Sequence, residues 1–146
     1  MVPIFFPAIA AEKKEEKVPM IKVIPDTGTV LVVEDEEIVM NVNRAMLERL
    51  GYRVLEATTG KETIDIIKNF EGDIDIALLD VKLPDMEGGM IYPLIKKTRP
   101  NTKVIVCSGY SMDGPAQEIL YAGAEDFIQK PFSFGSLSAK LKTVLG

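Results

Sequence analysis

The 146-residue chain has no histidine, no tryptophan and one cysteine, Cys107. Without histidine there is no Ser-His-Asp or Cys-His catalysis, no ordinary zinc site and no phosphohistidine on the chain itself. A single cysteine excludes an internal disulfide and suits a reducing, cytoplasmic setting. No run of residues approaches the roughly 20 apolar positions needed to cross a bilayer, so no membrane contact is expected. The opening ten residues end in Ala8-Ile9-Ala10 as a secretion signal could, but they carry no basic residue, and Pro3 and Pro7 interrupt them. A basic surface is missing too. Lys and Arg number 17 against 22 Asp and Glu, a net charge of −5. Residues 1–28 carry four of each sign, so the excess acid lies beyond them, and no nucleic-acid partner is expected. Chemistry on this chain must come from Asp, Glu, Lys and Ser.

What is present is an alternation. Residues 1–28 read as a separate linker or tail, with a possible short strand at Ile4-Phe5-Phe6, a charged stretch from Ala10 to Lys17, and Pro19, Pro25 and Gly28 as breakers. Residues 29–146 read as one domain. Thr29 to Val33 is an apolar, β-branched run of the kind buried on both faces. Ile38, Val42, Ala45, Met46 and Leu50 recur at helical spacing and Gly51 follows as a stop, predicting a helix with those residues inward. Tyr52–Ala57 is a second strand. Thr59-Gly-Lys-Glu62 has the form of a capping box opening a second helix. Ile74–Leu79 is a third strand leading to Asp80, and a helix from about Met90 to Thr98 follows. In that helix Pro93 removes a hydrogen bond, which predicts a late start or a kink. Lys103–Cys107, a helix from about Gly114 to Ala122, Asp126–Gln129 and a last helix capped by Ser133 complete the pattern.

Strands alternating with single helices predict an α/β fold: a doubly wound, five-stranded parallel sheet, flavodoxin-like in the order 2-1-3-4-5, with helices on both faces. In such sheets ligands bind outside the carboxyl ends of the strands where the order reverses. Here that means Glu34 and Asp35 after strand 1 and Asp80 after strand 3. Three carboxylates about 5 Å apart repel by roughly 3 kcal/mol per pair at an effective dielectric near 20. An all-oxygen cluster of that kind calls for a hard divalent cation, Mg2+ or Mn2+. Strand 4 brings Ser108 to the same edge and strand 5 brings Lys130. Metal, hydroxyl and ammonium are what a phosphoryl group needs during in-line transfer, and a carboxylate is a competent nucleophile for phosphorus.

Four segments carry a resemblance: Leu31-Val-Val-Glu34-Asp35-Glu36, Leu78-Leu-Asp80-Val-Lys82-Leu-Pro84-Asp-Met-Glu-Gly88, Cys107-Ser108-Gly-Tyr110, and Phe127-Ile-Gln-Lys130-Pro131-Phe132. Together they resemble the receiver domains of two-component response regulators over roughly residues 29–146. The resemblance implies that Asp80 is the phosphoacceptor and that Asp35 and Asp80 bind the metal directly, Glu34 through water and Lys82 through its backbone carbonyl. Ser108 and Lys130 would hold phosphoryl oxygens, and Phe127 would be the aromatic that changes rotamer on activation. It also implies a cis Lys130–Pro131 peptide bond, and Lys82 and Tyr110 as the flanks of the path by which water attacks the acyl phosphate. The expected partner is a histidine kinase or a histidine phosphotransfer protein, with an oligomer possible through the face of helix 4, strand 5 and helix 5. The opening Ile-Phe-Phe-Pro-Ala resembles the last strand of a histidine-kinase ATP-binding domain, which places this domain as the C-terminal receiver of a hybrid sensor kinase; a stand-alone regulator is the alternative.

Rival functions differ in what they need. A flavin or nucleotide binder of this topology uses a Gly- or Ser-rich loop after strand 1, where this chain has Glu34-Asp-Glu-Glu37. A metal-dependent phosphohydrolase with an Asp nucleophile normally has a second acid two residues on, where Lys82 stands. An interaction module without phosphorylation would not need Asp35, Asp80, Ser108 and Lys130 together.

Overall fold

The computed structural model describes residues 28–109 and 114–145. The expectations for the strand at residues 4–6, for the charged stretch and for Tyr110 lie outside these residues. The described chain alternates strictly: β1 (Gly28–Val33), α1 (Glu37–Arg49), β2 (Tyr52–Ala57), α2 (Gly60–Asn69), β3 (Ile76–Asp80), α3 (Gly88–Thr98), β4 (Lys103–Ser108), α4 (Pro115–Tyr121), β5 (Asp126–Gln129) and α5 (Phe134–Leu145). The strands form one parallel sheet in the order β2-β1-β3-β4-β5, as the alternation predicts. None of the described helices is long and apolar enough to cross a membrane.

The pleat divides the apolar strand residues between two cores. Leu31, Val33, Leu79, Val104 and Val106 face Ile67 of α2, Ile91 and Ile95 of α3, and Ile119 of α4. Val30, Val32, Ile76, Leu78 and Ile105 face Met40 and Leu47 of α1 and Leu137 and Leu141 of α5. Both faces of β1, β3 and β4 are therefore covered, which is why their sequences run continuously apolar instead of alternating.

Two helices depart from the sequence reading. In α1 the inward residues are Met40, Asn43 and Leu47, whereas Ile38 is 78 % and Val42 50 % exposed. Met46 and Leu50 of the expected set do pack against the core from its edge, so the sheet accepts the face at 40, 43 and 47 and leaves 38, 42 and 45 outside. The helix ends as expected: Gly51, at φ 97°, donates to Glu48 O and turns the chain into β2. α3 begins at Gly88 and runs through Pro93 to Thr98. The carbonyl that Pro93 leaves without its usual donor belongs to Gly89, which is exposed, so water can take the missing bond's place. The capping box at Thr59 forms by half. Thr59 Oγ1 accepts from Glu62 N at 3.0 Å, but the Glu62 carboxylate turns to Thr58 N and Oγ1 at 2.7 and 2.8 Å.

Candidate functional site

The register sets the site. Val33 of β1 lies opposite Leu79 of β3, so Glu34 and Asp35 leave the sheet beside Asp80, which itself lies opposite Cys107 of β4. The ladder continues past the strand ends. Glu34 N donates to Ala57 O (3.0 Å), Val81 N to Cys107 O (3.2 Å) and Lys130 N to Ser108 O (2.7 Å), so the polar residues stand on fixed backbone. Lys130–Pro131 is a cis peptide bond, as expected.

Glu34, Asp35 and Asp80 each offer a carboxylate oxygen, all within 4.8 Å of one another. Glu34 and Asp80 are buried and Asp35 is exposed. Lys130 reaches into the cluster. Its Nζ lies 2.9 Å from Glu34 Oε1 and 3.1 Å from Asp80 Oδ2. The longer Glu34 side chain folds back on its own loop, and its Oε2 accepts from Glu36 N at 3.1 Å. The Lys82 amide lies 3.4 Å from Asp80 Oδ1, a long hydrogen bond. Ser108 is buried at the end of β4, next to this cluster.

Burial raises the carboxyl pKa of Glu34 and of Asp80, and the Lys130 ammonium opposes the rise without cancelling it. Burial works against the charge on Lys130, but the two carboxylates outweigh it and raise its pKa. Three carboxylates and one ammonium leave two negative charges, the complement of a divalent cation. The donors are all oxygen, and one side of the cluster opens to solvent at Asp35, which fits Mg2+ or Mn2+. Cys107 takes no part: it is buried, and burial pushes its thiol far above the usual range.

Asp35, Asp80 and Lys130 line the floor of a cleft of about 850 Å3 whose walls include Ile38 and Val42 of α1 and Pro131 and Phe132 beyond β5. Ile38 and Val42, whose helical spacing suits a core face, are instead the exposed wall beside the acidic floor. Phe127, half-buried on β5, packs against the core on the α2, α3 and α4 side of the sheet.

A family model of the response regulator receiver domain matches residues 30–142. The chain belongs to this family. This receiver domain is 34 % identical to the sensor kinase CckA of Brucella abortus over 151 aligned residues, which include 97 % of the chain but only 16 % of CckA. A CheY-like receiver domain protein from Methanospirillum hungatei superimposes with a TM-score of 0.75 at 35 % identity, covering 81 % of this chain and 93 % of that one. The receiver domain of the sensor histidine kinase PA1611 from Pseudomonas aeruginosa, with a magnesium ion coordinated in its active-site cleft, gives a TM-score of 0.72 at 28 % identity, covering 82 % and 98 %. Receiver domains bind Mg2+ at an acidic pocket and interact with histidine kinases or phosphotransfer proteins.

Proposed function

We propose that this receiver domain accepts a phosphoryl group on Asp80 from a phosphohistidine. In this reading Asp35, Asp80 and the Lys82 carbonyl would hold Mg2+ or Mn2+, with Glu34 acting through water. The observation that carries the reading is the placement of Lys130 Nζ 3.1 Å from one oxygen of a buried Asp80 whose neighbours Glu34 and Asp35 complete an all-oxygen cluster. An Asp80 oxygen attacks phosphorus in line. The N–P bond of the donor breaks as the O–P bond forms, and the freed imidazole nitrogen takes a proton from water. The cation, when bound, neutralises charge on the phosphoryl oxygens. Lys130 shifts its ammonium from the carboxylates to a phosphoryl oxygen, and the Ser108 hydroxyl donates to another. Movement of Ser108 toward the phosphoryl group makes room for Phe127 to turn inward. That couples the site to the surface of α4, β5 and α5, a two-state response biased by phosphorylation and a face through which copies of the domain can pair.

The partner in this reading is a histidine kinase or histidine phosphotransfer protein in the cytoplasm, and residues 29–146 form the receiver. Residues 1–28 are the junction to a preceding kinase domain in a hybrid sensor kinase. The alignment with CckA supports this: it includes 97 % of the chain and so runs well into the residues before 30, where the family match starts. The exposed apolar wall of Ile38 and Val42 beside the acidic floor suits a partner that presents an apolar helix and a phosphohistidine together. The test is transfer from a labelled phosphohistidine protein. Label should move to this chain in one stoichiometric step that needs Mg2+ and is lost in Asp35→Ala. Continuous release of phosphate from simple esters, with no labelled chain, would support a phosphohydrolase instead.

A further inference from the structure

The β3–α3 loop carries Lys82, and two neighbouring side chains fasten that loop to the start of α2. The Asp85 carboxylate accepts from Gly60 N at 2.7 Å through one oxygen and from Lys61 N at 3.0 Å through the other. The next residue, Met86, covers Gly60 so closely that a Cβ there would overlap the Met86 side chain. The loop is also closed on itself. Lys82 pairs with Glu87 in an isolated β-bridge, Leu83 N donates to Met86 O (3.2 Å), and Gly88 N donates to Val81 O (2.8 Å). Thr59 satisfies the amide of Glu62, while Asp85, from across the loop, takes the two amides that open the helix. Those amides hold the Asp85 carboxyl below its usual pKa, so it stays ionised and bonded at neutral pH.

We propose that Asp85 is a positioning residue for the phosphoryl site. It ties the β3–α3 loop to α2 and so fixes the two peptides that meet at Lys82: the Val81–Lys82 peptide, whose N–H reaches Asp80 Oδ1, and the Lys82–Leu83 peptide, which carries the Lys82 carbonyl. Asp85 acts only through Lys82, and the inference rests on the reading above that the Lys82 carbonyl is a metal ligand. Releasing the loop lets the Lys82–Leu83 peptide swing, and a carbonyl ligand that must be ordered on binding holds the cation more weakly.

The test is Mg2+ titration of wild type, Asp85→Ala, Asp85→Asn and Thr59→Ala, followed by amide NMR shifts. Asp85→Ala should raise the Kd for Mg2+ about ten-fold, at the low end of the effect of removing a group that orients a metal ligand. Asp85→Asn, which keeps one carbonyl oxygen, should fall between wild type and Asp85→Ala. Thr59→Ala weakens the same helix end without touching the loop, and should keep the wild-type Kd. An unchanged Kd in Asp85→Ala, or an equal rise in Thr59→Ala, overturns this inference while leaving the metal reading intact. Absence of saturable Mg2+ binding by wild type overturns both.

Discussion

Gly88 is the place where one methyl group should disturb both the fold and the site. It is buried at the first position of α3, and a Cβ there would lie 2.7 Å from the Asp80 carbonyl oxygen and 3.1 Å from Val81 Cα. Both are backbone atoms of the strand end that carries the acceptor carboxylate, so they cannot swing aside as a side chain can. Overpacking of this kind costs about 1–3 kcal/mol, and at the first helical position Ala recovers little of the gain it brings to a helix interior, so Gly88→Ala should be about 1–3 kcal/mol less stable. For a domain of this size that is a Tm lower by roughly 4–12 °C. The neighbour supplies the control. Gly89 lies in the same helix, is exposed, and has nothing within 4 Å of its Cβ position. Gly89→Ala should therefore hold or raise stability by a few tenths of a kcal/mol. Urea unfolding of the pair at constant m-value is the assay. A Gly88→Ala domain as stable as wild type would refute the packing argument.

Two further predictions concern stability. Arg99 donates to the carbonyls of Ile67 (2.8 Å), Phe70 (2.5 Å) and Gly72 (2.6 Å) and lies over the Phe70 ring, closing the end of α2. Arg99→Ala should cost about 2–4 kcal/mol in urea unfolding, and Arg99→Lys should recover only part, because an ammonium cannot span three carbonyls in one plane. In the metal-free acidic cluster, burial raises the pKa of Glu34 and Asp80 above their usual 4.5 and 3.8. A raised folded-state pKa gives a contribution that is full below about pH 4 and is lost as pH rises through the raised values. Asp80→Asn removes one of these groups. Its stability relative to wild type should therefore improve as pH rises above about 4 without metal and level off once the folded carboxyl has ionised, and a pH-independent difference would contradict the assignment.

The fold was legible because its signals agree with one another. The apolar runs of β1, β3 and β4 are long enough to need cover on both faces, and single helices between them permit only a parallel sheet. The switch point then placed Glu34, Asp35 and Asp80 together without any knowledge of distances. The helices were less legible where one pattern admitted two answers. The stripe of Ile38 and Val42 and the stripe of Met40 and Leu47 both have helical spacing, and only contact with the sheet selects between them. The start of α3 was hidden by Pro93, whose cost depends on whether the carbonyl it strands is exposed. Asp85 could not be recognised at all from periodicity, since its partners are backbone amides 24 and 25 residues earlier. The sharing of Lys130 between Glu34 and Asp80 was equally invisible, because Glu34 folds back by an amount that only its loop determines.

Intact mass measurement decides whether Asp80 is the acceptor. Wild type and Asp80→Asn are incubated with a small acyl phosphate donor, with and without Mg2+. Wild type should gain the mass of one phosphoryl group in the presence of Mg2+ only, and Asp80→Asn should gain none under either condition. The same adduct on Asp80→Asn would contradict the account, because it would place the phosphoryl group on another residue.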